Sequence, residues 1–312
     1  CMQNHDSPAF ALVHDKMGDE EHRLTTHLLD PGIVSGDLLD ECRGAVMMSG
    51  TLFPPQMYYD LLKVPKSRVS IVKEYTSHFL AERRPVLIAK DVTSRYAERG
   101  EENTARIREH IHSVLRQTPG HVAVFAPSYA MLEQIVLEDE DWEVRRRHLL
   151  EERSGASKEQ MDRMVDRLHQ LRRSKSPALL AGVLGGKLAE GVDYPENILD
   201  AVICIGLPLP PPSARQDALK EYYEDAYDSA RAWRYAGSQP AVNRLMQAIG
   251  RPIRKAADRA LVVLLEKRLM QRGFKICMPE GIHAVESVDS DRTSRHTKRF
   301  FSKYPDPARH SE

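Results

Sequence analysis

Short continuous apolar runs alternate along this chain with stretches whose apolar residues recur every three or four positions. The runs within Pro85–Asp91, Val122–Ala126, Ala178–Leu184, Ala201–Gly206 and Leu261–Leu265 predict strands. Thr104–Gln117 predicts a helix, because Ile107, Ile111, Val114 and Leu115 share one face, and Thr118-Pro119-Gly120 stops it. Tyr129–Leu137 predicts a second helix. A charged stretch follows through Arg153, in which Glu138-Asp139-Glu140-Asp141 reads as solvated charge. Ser157 and Gln160 have the spacing of a capping box. The helix they open carries Met161, Met164, Val165, Leu168 and Leu171 on one stripe, and Pro177 ends the unit. Leu219–Tyr235 predicts a long amphipathic helix closed by Gly237, and Ala241–Arg254 predicts another. Between the strands and these last helices, Pro208-Leu209-Pro210-Pro211-Pro212 reads as a rigid connector.

Strands alternating with helices imply an α/β fold: a parallel sheet with helices on both faces. Strands that are apolar throughout, rather than at every second residue, agree with burial on both sides. In such sheets ligands sit beyond the carboxyl ends of the strands. Residues 281–312 are polar and uneven, and are expected to form a tail or an added edge element. Their mixture of Arg295, Lys298, Arg299 and Lys303 with Phe300, Phe301 and Tyr304 reads more readily as a closing strand and charged tail than as a single-strand-binding surface.

The 312 residues suffice for one large domain or two modest ones. With 45 basic and 45 acidic residues the formal net charge is zero, so any nucleic-acid surface is a local patch. Cys1, Cys42, Cys204 and Cys277 lack CxxC spacing, which argues against a disulfide framework and against a zinc or iron–sulfur site in this chain. The histidines form no ligand constellation. His110 and His112 fall on different helix faces, His22 and His27 are five apart, and all read as core or surface residues. No metal site is expected. No apolar run approaches the roughly 18 residues a membrane span needs, and no secretory signal is visible. The expectation is a soluble, cytoplasmic protein. The chain opens on Cys1. A mature lipoprotein can begin so, but a piece of a longer protein explains more.

Four elements carry candidate chemistry. Gln247-Ala248-Ile249-Gly250-Arg251-Pro252-Ile253-Arg254 sets two arginines three residues apart on what reads as one helix face. Paired guanidinium forks suit a polyphosphate, although two such arginines alone are more readily a solvated surface helix. Gly185-Gly186-Lys187 opens a segment through Asp193 directly after the 178–184 strand. Its glycines let backbone approach a nucleic-acid strand closely, and Lys187 offers a phosphate contact. Glu190 and Asp193 would repel phosphate and suit hydrogen bonds across a cleft, to a nucleotide or to the two arginines. Ser49-Gly50-Thr51 follows the apolar run Ala45–Met48. Ser128 and Tyr129 follow the 122–126 strand, where they suit a nucleic-acid backbone and a stacked base, or simply a helix cap and a core tyrosine.

In this combination and order, the elements resemble the second motor domain of a superfamily 2 helicase, most closely the XPD-type DNA repair helicases. The similarity covers residues 40 to 280. Gln247–Arg254 resembles helicase motif VI, Gly185–Asp193 motif V, Ser49-Gly50-Thr51 motif III and Val124–Tyr129 motif IV. Pro252 departs from the pattern, since relatives usually carry a small aliphatic residue there. The resemblance implies a RecA-like (P-loop NTPase-like) domain over residues 71–280, a remnant of the first motor domain over 1–70, and a tail over 281–312. It implies an ATP-dependent 5′-to-3′ DNA helicase that acts on single-stranded and duplex DNA in nucleotide excision repair. By resemblance, Arg251, Arg254 and Gln247 act at the γ-phosphate, with Arg254 the arginine finger. Gly250, Glu190 and Asp193 border the nucleotide. Gly185, Gly186, Lys187, Ser128 and Tyr129 meet DNA, and Ser49, Gly50 and Thr51 couple hydrolysis to movement. Two rivals stand beside this reading. One is a DinG-like bacterial helicase, although that group usually has bulky aromatics where Leu188-Ala189 stand. The other is a non-catalytic RecA-like module that binds nucleic acid or a partner protein.

A phosphate-cradling GxxxxGK[ST] loop is missing. Gly182–Lys187 has lysine where the second glycine belongs, and Leu188 brings no hydroxyl for magnesium. ATP and Mg2+ are therefore expected to be shared with a first motor domain, which in the family also holds an iron–sulfur cluster. No hydrolysis is expected from this chain alone. The expected partners are single-stranded DNA and that first motor domain. Without it, residues 1–70 are expected to be poorly anchored, or to self-associate through an exposed strand edge.

Overall fold

The computed structural model describes residues 7–16 and 21–305. The elements begin with β1 (Phe10–Lys16), β2 (His22–Leu28), α1 (Gly32–Glu41), α2 (Pro55–Leu61), β3 (Val86–Ala89), α3 (Glu101–Gln117) and β4 (His121–Ala126). There follow α4 (Tyr129–Leu132), α5 (Trp142–Arg145), β5 (His148–Glu151), α6 (Lys158–Arg173), β6 (Ala178–Val183) and β7 (Leu199–Ile205). The last are α7 (Ala214–Ala226), α8 (Ser229–Trp233), α9 (Gln239–Gly250), β8 (Leu261–Leu265), α10 (Arg272–Lys275), β9 (Ala284–Ser287) and α11 (Ser290–Lys303). The chain divides into two compact units: the described residues up to Tyr75 with Leu209–Ala241, and Thr76–Pro208 with the residues from Val242 onward. Residues 209–241, placed inside the RecA-like domain on sequence grounds, thus group with the early residues. Cys1 lies outside the described residues.

The larger unit is built on a seven-stranded, wholly parallel sheet in the order β5-β6-β4-β7-β8-β3-β9. Register sets Val124 between Ala181 and Ile203. Leu87, Val122, Val124, Leu179, Ala181, Ile203 and Val263 share one core with Ile107, Ile111 and Leu115 of α3 and with Phe300 and Phe301 of α11. The alternate residues Ile88, Phe125, Leu180, Val202 and Leu264 are equally buried. Both faces are dry, which is why these strands read as continuous apolar runs. The capping box forms in both directions, and Met161, Val165, Leu168 and Leu171 of α6 are buried.

Three sequence expectations need correction. The stretch from Glu138 to Arg153 is not all solvated. Asp139 is buried with His112 Nε2 at 2.6 Å, and the short edge strand β5 runs through it. Arg147 is buried too. Its guanidinium donates to the carbonyls of Leu115 (2.7 Å), Thr118 (2.8 Å) and Gly120 (2.6 Å), closing the end of α3, and burial pushes its pKa down to about 10. The expected 219–235 helix breaks after Ala226, because Asp228 caps a new helix by accepting the Arg231 N–H at 2.9 Å. Gly237 does not terminate it: a Cβ there would lie 3.0 Å from the Trp233 ring, so the residue serves close packing within a helical turn. Within residues 281–312, β9 pairs with β3 at the edge of the sheet, the added edge element expected as the alternative to a tail, but Arg292–Lys303 lies in α11, a helix packed on the sheet rather than a closing strand, and residues 306–312 lie outside the described residues.

In the smaller unit β1 and β2 form an antiparallel pair with Val13 opposite Thr25. Met57, Tyr223, Ala232, Tyr235 and Ala236 make a separate core. Tyr222 and Tyr235 donate their hydroxyls to Asp30 (2.6 Å) and Asp60 (2.8 Å). The apolar run Ala45–Met48 forms no strand, and Val46 and Met48 are each 88% exposed. A lone strand has no partner for its backbone groups and no layer to bury against.

Candidate functional site

The carboxyl ends of β5, β6 and β4 lie side by side in the sheet, and the candidate residues of motifs IV and V follow them. After β6, the Leu184 N–H donates to the Ala126 carbonyl at 2.8 Å, and the Gly186 N–H returns to the Val183 carbonyl at 2.9 Å. Gly185 between them has φ +84°, a conformation natural to glycine. Lys187–Gly191 forms a wide π-helical turn, a geometry frequent at functional sites. Lys187 is exposed, and its ammonium donates to the Ala156 carbonyl. Tyr194 is fully buried and donates to the Leu188 carbonyl at 2.9 Å. Burial, assisted by the charge of Glu152, raises its pKa. Glu190 is half-buried, and its Oε1 is enclosed without a hydrogen-bond partner.

Sequence reasoning missed Glu152. It sits one residue past β5 and is 2% exposed. Its carboxylate accepts the Val183 N–H at 3.3 Å and the Lys187 N–H at 2.7 Å. A glutamate in a charged stretch carries no local signal of this role, because its donors come from the end of β6 and the turn after it.

The arginines differ from expectation in one respect. Helix α9 ends at Gly250, so Arg251 and Arg254 do not share a helix face. A proline disfavours helical backbone at the residue before it, and Pro252 ends the helix there. The chain turns instead, and both side chains reach the segment after β6. Arg251 donates from Nε to the Ala189 carbonyl at 2.7 Å, from Nη1 to Val192 at 3.0 Å, and from Nη2 to Glu190. Arg254 donates from Nε to the Tyr194 carbonyl at 3.1 Å and is ion-paired with Asp193. Its side chain remains 40% exposed. Asp258 shapes this loop by accepting the N–H groups of Arg254 (2.7 Å) and Lys255 (2.8 Å).

The remaining candidates are less tightly held. Gln247 is half-buried on α9, and Gly250 closes that helix with open space where a Cβ would stand. Ser128 caps α4 by accepting the Met131 N–H at 3.3 Å. Tyr129 is 37% exposed, and burial together with the charge of Glu152 raises its pKa. Ser49, Gly50 and Thr51 belong to the other unit, in an exposed turn where the Thr51 N–H donates to Ser49 Oγ at 3.2 Å. A groove of about 780 Å³ opens between β5 and α6, lined by Leu149, Arg153, Gln160, Arg163 and Arg167 among others, and no candidate residue borders it. Among the described residues no group of three His, Cys, Asp or Glu is placed to hold a metal ion. None of their helices is long and apolar enough to cross a membrane.

The parallel sheet defines a RecA-like domain. It is similar to a solved XPD helicase, with a TM-score of 0.66 and 22% identity, over 85% of this chain and 46% of that one. A family model described as a helicase C-terminal domain matches residues 111–284, more than half of the sequence, and the chain belongs to that family. Its similarity to the XPD-type superfamily 2 helicases, read from the motifs, is borne out. The ATP-dependent DNA helicase CHL1 of Scheffersomyces stipitis is 25% identical, over 88% of this chain and 36% of its own length. A regulator of telomere elongation helicase 1 homolog of Drosophila yakuba is 28% identical, over 77% of this chain and 26% of its own length. The chain therefore spans about a third of the length of such curated relatives.

Proposed function

We propose that this chain works as the second motor domain of an ATP-dependent DNA helicase of the XPD type. The observation that carries the reading is the lock between the two arginines and the segment after β6. Arg251 grips the carbonyls of Ala189, Glu190 and Val192, and Arg254 is tied to Asp193 and Tyr194. Cations suited to a nucleotide are thereby joined directly to a loop suited to a DNA strand, which a motor needs. The names of the relatives, ATP-dependent DNA helicases, support the same reading.

Arg254 is half-exposed and held by an exposed acid, so it is the arginine finger, free to exchange Asp193 for a phosphate. Arg251, whose nitrogens bond to backbone, positions the loop. Gln247, Gly250, Glu190 and Asp193 border the nucleotide. Gly185, Gly186, Lys187, Ser128 and Tyr129 meet single-stranded DNA, and Ser49, Gly50 and Thr51 couple the two events. These residues fit one wall of an ATP site, offering hydrogen-bond donors but no phosphate-cradling loop. The first motor domain supplies the rest of the site for ATP and Mg2+ and, by family resemblance, an iron–sulfur cluster. The isolated chain hydrolyses no ATP. The 5′-to-3′ direction and a place in nucleotide excision repair belong to the same reading.

The test is Arg254→Ala in the full-length protein. The kcat of DNA-stimulated ATP hydrolysis is expected to fall about 10³-fold with single-strand binding retained. Unchanged kcat, or equal loss of both activities, overturns the reading.

A further inference from the structure

Glu152 is a buried acid that the proposed mechanism leaves unused. Its own N–H is fixed to the Ala181 carbonyl at 2.8 Å, so the backbone aims the side chain at the turn after β6. One carboxylate oxygen takes the Val183 N–H and the other the Lys187 N–H. Two glycines make room for it. A Cβ on Gly182 would lie 2.8 Å from Oε2, and a Cβ on Gly186 would lie 2.6 Å from Oε2 and 2.8 Å from Oε1. Gly186 therefore serves the carboxylate, whereas Gly185 serves the left-handed turn. Four residues further along, the Ala156 carbonyl accepts the Lys187 ammonium, so one short segment holds both ends of that lysine.

We infer that Glu152 is a positioning residue for nucleic-acid binding: its carboxylate clamps the Gly185–Lys187 turn so that Lys187 is presented to a DNA phosphate. The inference rests on the proposed DNA contact of Lys187. A charged acceptor suits the task because hydrogen bonds to a carboxylate are stronger than neutral ones. Two N–H groups converging on one side chain also need two acceptors. Glutamine has the same shape but turns one acceptor into a donor that faces an N–H.

The experiment uses the 312-residue chain as wild type, Glu152→Gln, Lys187→Ala and the double variant. Binding of a fluorescein-labelled oligothymidylate is followed by anisotropy across a KCl series, and amide exchange of Val183 and Lys187 by mass spectrometry. Glu152→Gln is expected to speed exchange at these two amides, weaken binding about tenfold and lower the salt slope by about one. In the Lys187→Ala background it should add no further loss. Gly186→Ala, which evicts the carboxylate by another route, should reproduce the Glu152→Gln effects, and a matching thermal melt shows that the fold survives. Unchanged exchange overturns the clamp. Faster exchange with unchanged binding, while Lys187→Ala weakens it, overturns the inference and leaves the DNA reading intact. No effect of Lys187→Ala overturns the DNA contact itself, and the inference with it.

Discussion

Arg254, just beyond the end of α9, is ion-paired with Asp193, just beyond the turn that follows β6. Both side chains are substantially exposed, so the pair adds little to stability. Asp193→Asn is expected to change the unfolding free energy by less than about 1 kcal/mol. Its effect should appear in function, because an arginine released from a carboxylate meets a phosphate more readily. In the full-length protein the KM for ATP is expected to fall about threefold with kcat held. A kcat loss as large as that of Arg254→Ala would place Asp193 among the reacting groups instead.

Arg251 has the opposite balance. It is half-buried and spans three backbone carbonyls from Nε, Nη1 and Nη2. Arg251→Ala is expected to lower stability by about 2 kcal/mol, because charged hydrogen bonds are lost and the carbonyls of the buried Ala189 and Val192 are stranded. Urea unfolding of the chain reads this as a shift of the midpoint. Arg251→Lys should not rescue it, since a point ammonium cannot span three divergent acceptors. Full rescue by lysine would reduce the site to a matter of charge.

His121 makes stability pH-dependent. It is 1% exposed, its Nε2 lies 2.9 Å from the Leu168 carbonyl, and its Nδ1 accepts the Ala178 N–H at 3.0 Å. Burial, opposed in part by the Leu168 carbonyl, pushes its pKa from 6.5 down to about 4. Between these values the unfolded chain binds a proton that the folded chain refuses. The contribution is therefore complete above pH 6.5 and drains away as pH falls to about 4, with a loss of about 3 kcal/mol. Urea unfolding at pH 7 and pH 4.5 measures it. His121→Gln should flatten the difference, and an unchanged difference would assign the loss to other groups.

What the sequence made legible was local. The strands around Val124 and Val263, the α3 face of Ile107 and Ile111, and the Ser157–Gln160 box each depend on neighbours within a few residues, and each is present. The order of motifs IV, V and VI showed which strand ends form the candidate site. The failures came where distant residues decide. Leu149 and Leu150 form an edge strand because Leu179 and Leu180 lie opposite. Pro252 was visible as a departure from the family pattern, but the partners of Arg251 and Arg254 were not, since they come from the turn after β6. Glu152 was invisible for the same reason, although Gly182 and Gly186, spaced to admit a side chain, were its only trace.

The position of β3 bears on how the sheet is made. It is the first strand of the seven to leave the ribosome, yet its neighbours are β8 and β9, the last two. Synthesis thus completes β4, β5, β6 and β7 while Val86–Ala89, apolar throughout, waits without a partner. The nascent chain must keep that strand from pairing elsewhere until Leu261–Leu265 emerges, and a ribosome stalled before that point leaves a sticky, half-built sheet.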